Sequence, residues 1–298
     1  MNVSILYRGN LSSCNYDCAY CPFAKHWESP EELQSCQAGL ARFTDWFRQR
    51  HRDQIGVFFT PWGEALVRSW YRRAITQLSH LHNVHKVAVQ TNLSCPLDWL
   101  EETHVGKLGL WCTYHPGQTT LDAFLGQCSK LDRANVAYSV GCVGLREHLP
   151  AIETLRSELP PHVYVWVNAF KSQPNYYDDL LRNALMAVDP LFPINNMRHA
   201  SRGHACRTGY RTFSVDGRGD IRRCHFVDEI IGNIYESDFE KSLFPRVCPN
   251  ETCGCHIGYV HLERLQLDSV FGDGLLERIP KPTMIEPVSK PGCACSRN

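Results

Sequence analysis

Three cysteines, Cys14, Cys18 and Cys21, stand within eight positions of the segment SSCNYDCAYCP, directly behind the short apolar run VSILY. Thiolates spaced Cys-x3-Cys-x2-Cys can wrap three corners of a cubane iron-sulfur cluster, which leaves one iron without a protein ligand and open to a reactant. The same thiols could instead serve zinc, which closes with four ligands, and His26 is near enough in sequence to be the fourth. Toward the C-terminus Cys206, Cys224, Cys248, Cys253 and Cys255 form a second group. Four of these would close a cluster or a zinc site with one left over, and the spacing does not say which. Cys36, Cys95, Cys112, Cys128 and Cys142 are scattered through expected helices, strands and connections, where a thiol packs as a small buried hydrophobe. Cys293 and Cys295 lie in a tail containing Pro, Gly and Ser.

Positioning such groups requires a folded scaffold of ordinary composition. The 298-residue chain is 43% hydrophobic and 21% charged, with 31 Lys+Arg against 31 Asp+Glu, so no bulk field gathers nucleic acid or anionic lipid. Its length suits one large α/β domain with a small appendage. No signal peptide is evident, and no stretch approaches the roughly 18 apolar residues of a membrane span. Clustered cysteines in a chain of this kind are metal ligands or catalytic thiols of a reducing compartment, and a cytoplasmic location is expected.

From residue 3 to about 188, short apolar or β-branched runs alternate with amphipathic ones. Candidate strands cover 3–8, 54–60, 84–91, 107–113, 136–142 and 162–168, and helix-like segments fall between them. The clearest helix opens at SPEELQSCQAGLARFTDWF: Ser29 can cap, Pro30 suits the first helical position and Glu32 completes a capping box. The third connection, PLDWLEETH, is short. Strand followed by helix, six times over, means parallel strands joined by right-handed crossovers that curl into a full or partial barrel. Function in such sheets collects at the carboxyl ends of the strands. The pattern stops near 190–200 in a turn-rich linker, and YRTFSVDGRGDIRRCHF beyond it reads as a β-hairpin in a small cysteine-bearing module. The expected division is a barrel over 1–190, the module over 201–275 and a tail over 276–298.

Cys14, Cys18 and Cys21, with Tyr20 before the last, in the loop after strand one of a six-unit β/α barrel, resemble the radical S-adenosylmethionine superfamily. The resemblance implies a partial (β/α)6 TIM-like barrel. It further implies a [4Fe-4S] cluster that holds S-adenosylmethionine on its open iron and cleaves it reductively to a 5′-deoxyadenosyl radical, which abstracts a substrate hydrogen. Further matches fall at strand ends. TPWGEA resembles the superfamily's Gly-Gly-Glu segment, which places Gly63 and Glu64 against the methionine ammonium, with Trp62 where the first glycine is usual. QTNLS resembles a Thr-Asn-Gly segment, with Thr91 and Asn92 near the cofactor and Leu93 where glycine is usual. CVGLREH keeps part of an Ile-x-Gly-x-x-Glu pattern through Cys142, Gly144 and Glu147, and Asn168 ends strand six near the expected adenine. Cys112, near the end of strand four, is a candidate to return a hydrogen atom to a substrate radical.

Cys206-x12-Gly219-x4-Cys224 resembles the start of the SPASM and Twitch extensions, which hold auxiliary clusters; five thiols suggest one such cluster, as in Twitch. Seven arginines and no lysine lie between 198 and 223. Such a patch can read phosphate, but it is expected here to offset the negative charge of a thiolate-bound cluster. The resemblance implies a peptide or peptide-like substrate, with a small metabolite as the alternative, and an electron-donor protein as partner; nucleic acid and membrane are not expected partners. With Cys14 so close to Met1, no leader-binding domain of about 80 residues is expected ahead of the barrel. A zinc-stabilised binding or scaffold protein is the competing reading from another class.

Overall fold

The six apolar runs become six strands: β1 (Asn2–Arg8), β2 (Gln54–Phe59), β3 (Val84–Thr91), β4 (Leu108–Thr113), β5 (Ala137–Val143) and β6 (Val165–Asn168). Each pairs with the next in parallel. The structure, a computed structural model, describes residues 1–21, 23 and 27–281. His26, Cys293 and Cys295 lie outside the described residues.

Helices α1 (Pro30–Phe47), α2 (Ser69–His80), α3 (Leu121–Arg133) and α4 (Leu149–Glu158) supply crossovers, a short 3-10 turn over Asp98–Glu102 replaces a helix between β3 and β4, and α5 (Asp179–Val188) follows β6. The α1 capping box forms as its sequence requires: the Ser29 hydroxyl accepts from the Glu32 amide at 3.2 Å, and the Glu32 carboxylate accepts from the Ser29 amide at 2.7 Å. Ser29 thereby fixes where α1 starts after the cysteine loop.

Side-chain alternation along each strand divides the sheet into two faces. Tyr7, Phe59, Val89, Cys112, Cys142 and Val167 pack with Leu40, Phe43, Leu78, Phe124, Ile152 and Leu185 of the helices in the main core. On the opposite, concave face Leu6, Phe58, Ala88, Trp111 and Trp166 form a second core. That core is completed by α7 (His256–Tyr259), α8 (Leu267–Phe271) and Leu276, so the chain's own C-terminal segment covers that face of the sheet. Leu276, Glu277 and Arg278, expected in a tail, are 5%, 2% and 1% exposed. Gly141 marks how tight this packing is, because a Cβ there would fall 2.0 Å from the Trp166 ring.

Between 190 and 255 the expected linker contains the short α6 (Phe192–Asn195), and the expected hairpin forms as β9 (Thr212–Asp216) and β10 (Asp220–Arg222) with β11 (Ile230–Asn233) beside it. Its placement was not legible in advance. Strand β9 runs parallel to β1, pairing Ser4 with Thr212 through Arg8 with Asp216, so the hairpin and the six parallel strands share one nine-stranded sheet of order β11-β10-β9-β1-β2-β3-β4-β5-β6. Four two-residue strands make small ladders beside it: β7 (His199–Ala200) with β13 (Thr252–Cys253), and β8 (Ala205–Cys206) with β12 (Arg246–Val247). Among the described residues no helix is long and apolar enough to cross a membrane.

Candidate functional site

The loop after β1 is held from below. Amides of Gly63 and Glu64 donate to the carbonyls of Leu11 and Ser13, each at 3.1 Å. The Glu28 carboxylate accepts from the Ser13 amide at 2.9 Å and the Ser12 hydroxyl at 3.0 Å, and Arg68 donates to the Ser13 hydroxyl at 2.8 Å. Gly63 is obligatory for this closeness, since a Cβ would fall 1.9 Å from the Ser13 carbonyl oxygen. Trp62, standing where glycine was expected, lies outside the left-handed backbone region and incurs no such strain. Its ring instead stacks on the Arg8 guanidinium at 4.1 Å and meets Phe23 at 4.7 Å, which forms an aromatic rim beside the loop.

Glu64, Thr91 and Asn92 form one unit. The Glu64 carboxylate, 5% exposed, accepts from the Thr91 hydroxyl (2.8 Å), the Asn92 amide (2.7 Å) and the Leu66 amide (3.0 Å). Burial raises its pKa, and these three donors oppose the rise. All three contacts go to its own chain, yet an ionised carboxylate accepts about four hydrogen bonds, so capacity for an ammonium remains. Leu93, expected at a glycine position, adopts φ +57° with its amide donating to the Thr91 hydroxyl at 3.0 Å; the turn keeps the glycine-like conformation without the glycine. Asn92 carries the unit onto the cysteine loop, donating to Asn15 at 3.0 Å and approaching the Cys14 sulfur at 3.9 Å.

Two histidines that the sequence did not single out complete the surround. His115, just past β4, contacts the Cys18 sulfur at 3.4 Å and the Tyr20 hydroxyl at 3.0 Å, and its neighbour Gln118 accepts from the Asp17 amide at 2.7 Å. His148 meets the Tyr20 ring edge-on at 5.4 Å and reaches Cys142 at 3.7 Å. Tyr20 is thus held between the β4 and β5 ends, and burial, with Cys18 beside it, raises its phenol pKa. The signal for His115 was its place two residues beyond a strand's carboxyl end. The Gly144 amide donates to the Asn168 carbonyl at 2.9 Å; the Asn168 side chain is exposed, as is Glu147. Cys112 is a correction: it is fully buried on the helix-facing side, where burial and the neighbouring Cys128 raise its pKa, so it packs the core and does not face the lumen.

The second cysteine group sorts itself. The β8–β12 ladder pairs Cys206 with Arg246, and the Cys248 amide donates to the His204 carbonyl at 3.1 Å. Buried Arg223 ties the Cys224 segment to the same place by donating to the carbonyls of Val247, Arg246 and Thr208. Cys253 is pushed up to about 12 by burial and by Cys224, Cys255, Cys206 and Cys248, while Cys224 rises to about 11 by burial and by Cys206 and Cys248. Cys255 differs. By surface area it is exposed although densely surrounded; burial raises its pKa, and the Ile257 amide and the charges of Arg8, Lys171 and Arg278 oppose that rise. The arginine run is largely spoken for: Arg202 pairs with Glu251 (3.0 Å), Arg207 with Asp268 (2.8 Å) and Arg222 with Asp216 (2.9 Å).

Among the described residues no three Cys, His, Asp or Glu side chains already stand as an assembled metal site. The donor chemistry nevertheless fits iron-sulfur ligation. The Cys14 sulfur receives the Tyr16 amide at 3.4 Å besides Asn92. Such contacts favour thiolate and tune a cluster. Cys224 and Cys253, both raised by burial and by neighbouring thiols, would ionise together with them only around a compensating cationic centre.

No protein-family model matches the chain, and no curated protein does. Solved structures do. Histidine-tagged anSMEcpe with bound AdoMet matches at 14% identity and TM-score 0.52, over 82% of this chain and 83% of that one. Native anSMEcpe with bound AdoMet and Kp18Cys peptide matches at 13% identity and TM-score 0.53, over 82% and 80%. These likenesses establish the fold: the chain is built as anSMEcpe is built.

Proposed function

We propose that the protein is a radical S-adenosylmethionine enzyme acting on a peptide or peptide-like substrate. The observation that carries the reading is the buried Glu64–Thr91–Asn92 unit, which fastens the ends of β2 and β3 to the Cys14 loop in a fold that it shares with an AdoMet-binding structure. Cys14, Cys18 and Cys21 would hold a [4Fe-4S] cluster, and Cys206, Cys224, Cys248 and Cys253 an auxiliary one, with Cys255 outside the ligand set. When bound, cluster and S-adenosylmethionine together supply a 5′-deoxyadenosyl radical.

The chain's own residues bind, orient and shield. Glu64 offers its remaining acceptor capacity to the methionine ammonium, Asn92 orients the Cys14 sulfur, and His115 holds Cys18 and Tyr20 in one arrangement. Gly144, Asn168 and Tyr20 stand where the adenine is expected, at the β5 and β6 ends. Trp62 and Phe23 shield the loop from water on one side. A peptide substrate is supported by the peptide bound in the anSMEcpe structure, and an electron-donor protein is the implied partner.

Anaerobic incubation of reconstituted protein with S-adenosylmethionine and a strong reductant tests the reading. It is expected to yield 5′-deoxyadenosine and methionine. Absence of both, together with stoichiometric zinc and no iron, would assign the cysteines to a zinc scaffold.

A further inference from the structure

The lumen floor holds polar groups that the chain itself leaves unanswered. Arg278 is 1% exposed and adopts φ +55°, a left-handed conformation rare for such a residue, which the fold must over-determine to maintain. Its guanidinium lies over the Trp166 ring at 4.6 Å and the Trp111 ring at 5.5 Å, and the His256 ring meets Trp111 edge-on at 5.2 Å. Arg278 Nε and Nη1, Trp111 Nε1 and His256 Nε2 are buried with no hydrogen-bond partner among the described residues. Buried polar groups of folded proteins are almost always paired, so four orphaned nitrogens around one pair of indole rings call for a ligand.

The nearby acids do not supply it. Asp189 directs its oxygens to the Tyr164 hydroxyl (2.5 Å) and the amides of Val167 (2.8 Å) and Leu191 (2.9 Å). Glu277 pairs with Lys86 at 2.7 Å through one oxygen, and its other oxygen, buried without a hydrogen-bond partner among the described residues, is not bonded to Arg278. Lys171, at the lumen's upper edge, adds a further positive charge: its ammonium lies 5.9 Å from the Tyr259 ring, whose hydroxyl contacts His256 at 3.3 Å.

We infer that this floor is a carboxylate-binding subsite, in which Arg278, Trp111 and His256 receive a carboxylate of the substrate. Asp189 acts on Arg278 through its charge alone, and a buried guanidinium with donors left unpaired is costly, a cost that an anion taking those hydrogen bonds offsets. Trp111 and Trp166 meet edge to face with ring centroids 5.5 Å apart, and Trp111, Trp166, His256 and Arg278 are all 5% exposed or less, so a small planar carboxylate, which a guanidinium meets in its own plane, suits this packing better than a bulkier tetrahedral phosphate. The subsite rests on the proposed function only in that the carboxylate is a substrate's; the binding itself needs no cluster chemistry.

Calorimetric titration of the full-length protein with acetate, inorganic phosphate and S-adenosylmethionine tests the inference. Acetate is expected to bind more tightly than phosphate, and to bind alongside S-adenosylmethionine. Trp111→Phe, which keeps a ring and removes one donor, is expected to weaken acetate roughly two- to tenfold, and Arg278→Gln roughly ten- to hundredfold, from the ordinary worth of neutral and charge-assisted hydrogen bonds. Where Arg278→Gln loses the fold with its left-handed residue, Trp111→Phe decides. Unchanged acetate affinity in the folded variants, or phosphate binding more tightly, would overturn the subsite. So would one-for-one displacement of acetate by S-adenosylmethionine, which would make the anion the cofactor's own. Failure to form 5′-deoxyadenosine with acetate binding intact would strike the proposed function and leave the subsite standing.

Discussion

Replacing Gly63 with Ala should separate the two cysteine groups. The added Cβ would lie 1.9 Å from the Ser13 oxygen, 2.6 Å from the Ser13 carbonyl carbon and 2.8 Å from the Ser12 carbonyl carbon. These are backbone atoms, so no side chain can swing away. To reach an ordinary contact of 3.4 Å the Ser13 carbonyl must retreat by about 1.5 Å. That breaks the donations from Glu64 to Ser13 and from Gly63 to Leu11, both at 3.1 Å. Two hydrogen bonds at about 0.5–1.5 kcal/mol each, with overpacking of about 1–3 kcal/mol, put the cost at roughly 2–6 kcal/mol. The damage is local, because Cys14 is the next residue along. The reconstituted variant should therefore lose the cluster on Cys14, Cys18 and Cys21 and retain that on the C-terminal group, falling from about eight irons to about four if each group holds a cubane. Iron analysis and S-adenosylmethionine binding read this out. A variant with its full iron content and unaltered binding would refute the reasoning from this contact.

Glu64→Ala should weaken S-adenosylmethionine binding roughly ten- to hundredfold, the worth of one charge-assisted hydrogen bond, in equilibrium dialysis. Burial pushes the Glu28 carboxyl up, but donation from Ser12 and Ser13 outweighs it and holds the group at about 2. Its pKa lies below the unfolded value of about 4.3, so its hold on the loop is complete above that value and is lost as pH falls through about 2; Glu28→Gln should abolish this part of the acid transition in a thermal-melt series. Burial depresses His261 to about 4. The unfolded chain therefore binds more protons between about 6.5 and 4, and stability should fall across that window on acidification and less so in His261→Gln. Cys255→Ser should leave the iron content unchanged, whereas Cys224→Ser should lower it.

How much of this was legible beforehand depended on the range of the interaction involved. The β1–β6 strands, the α1 cap and the turn at Gly219 rest on neighbours in sequence, and the described strands begin and end within a few residues of the expected ones. Gly63, Glu64, Thr91 and Asn92 were legible as motif positions; that Glu64 binds Thr91 and Asn92 directly was not, because the hydrogen bonds span 27 and 28 residues. Cys112 was misplaced for a simple reason. A one-residue step along β4 exchanges the lumen for the helix side, and the lumen position belongs to Trp111.

The pairing of β9 with β1 has the largest consequence for function. It makes the cysteine module a continuation of the barrel sheet, so Arg8 at the end of β1 faces Asp216 at the end of β9 in register. Arg8 then stacks on Trp62 beside the first cysteine loop and acts electrostatically on Cys255 of the second group. Arg8, at the carboxyl end of β1, thereby connects the surroundings of the two cysteine groups. Because Cys255 is the thiol beside Arg8 and Lys171, its replacement separates two roles that the spacing alone left merged: ligation, read by iron content, and contact with substrate, read by binding.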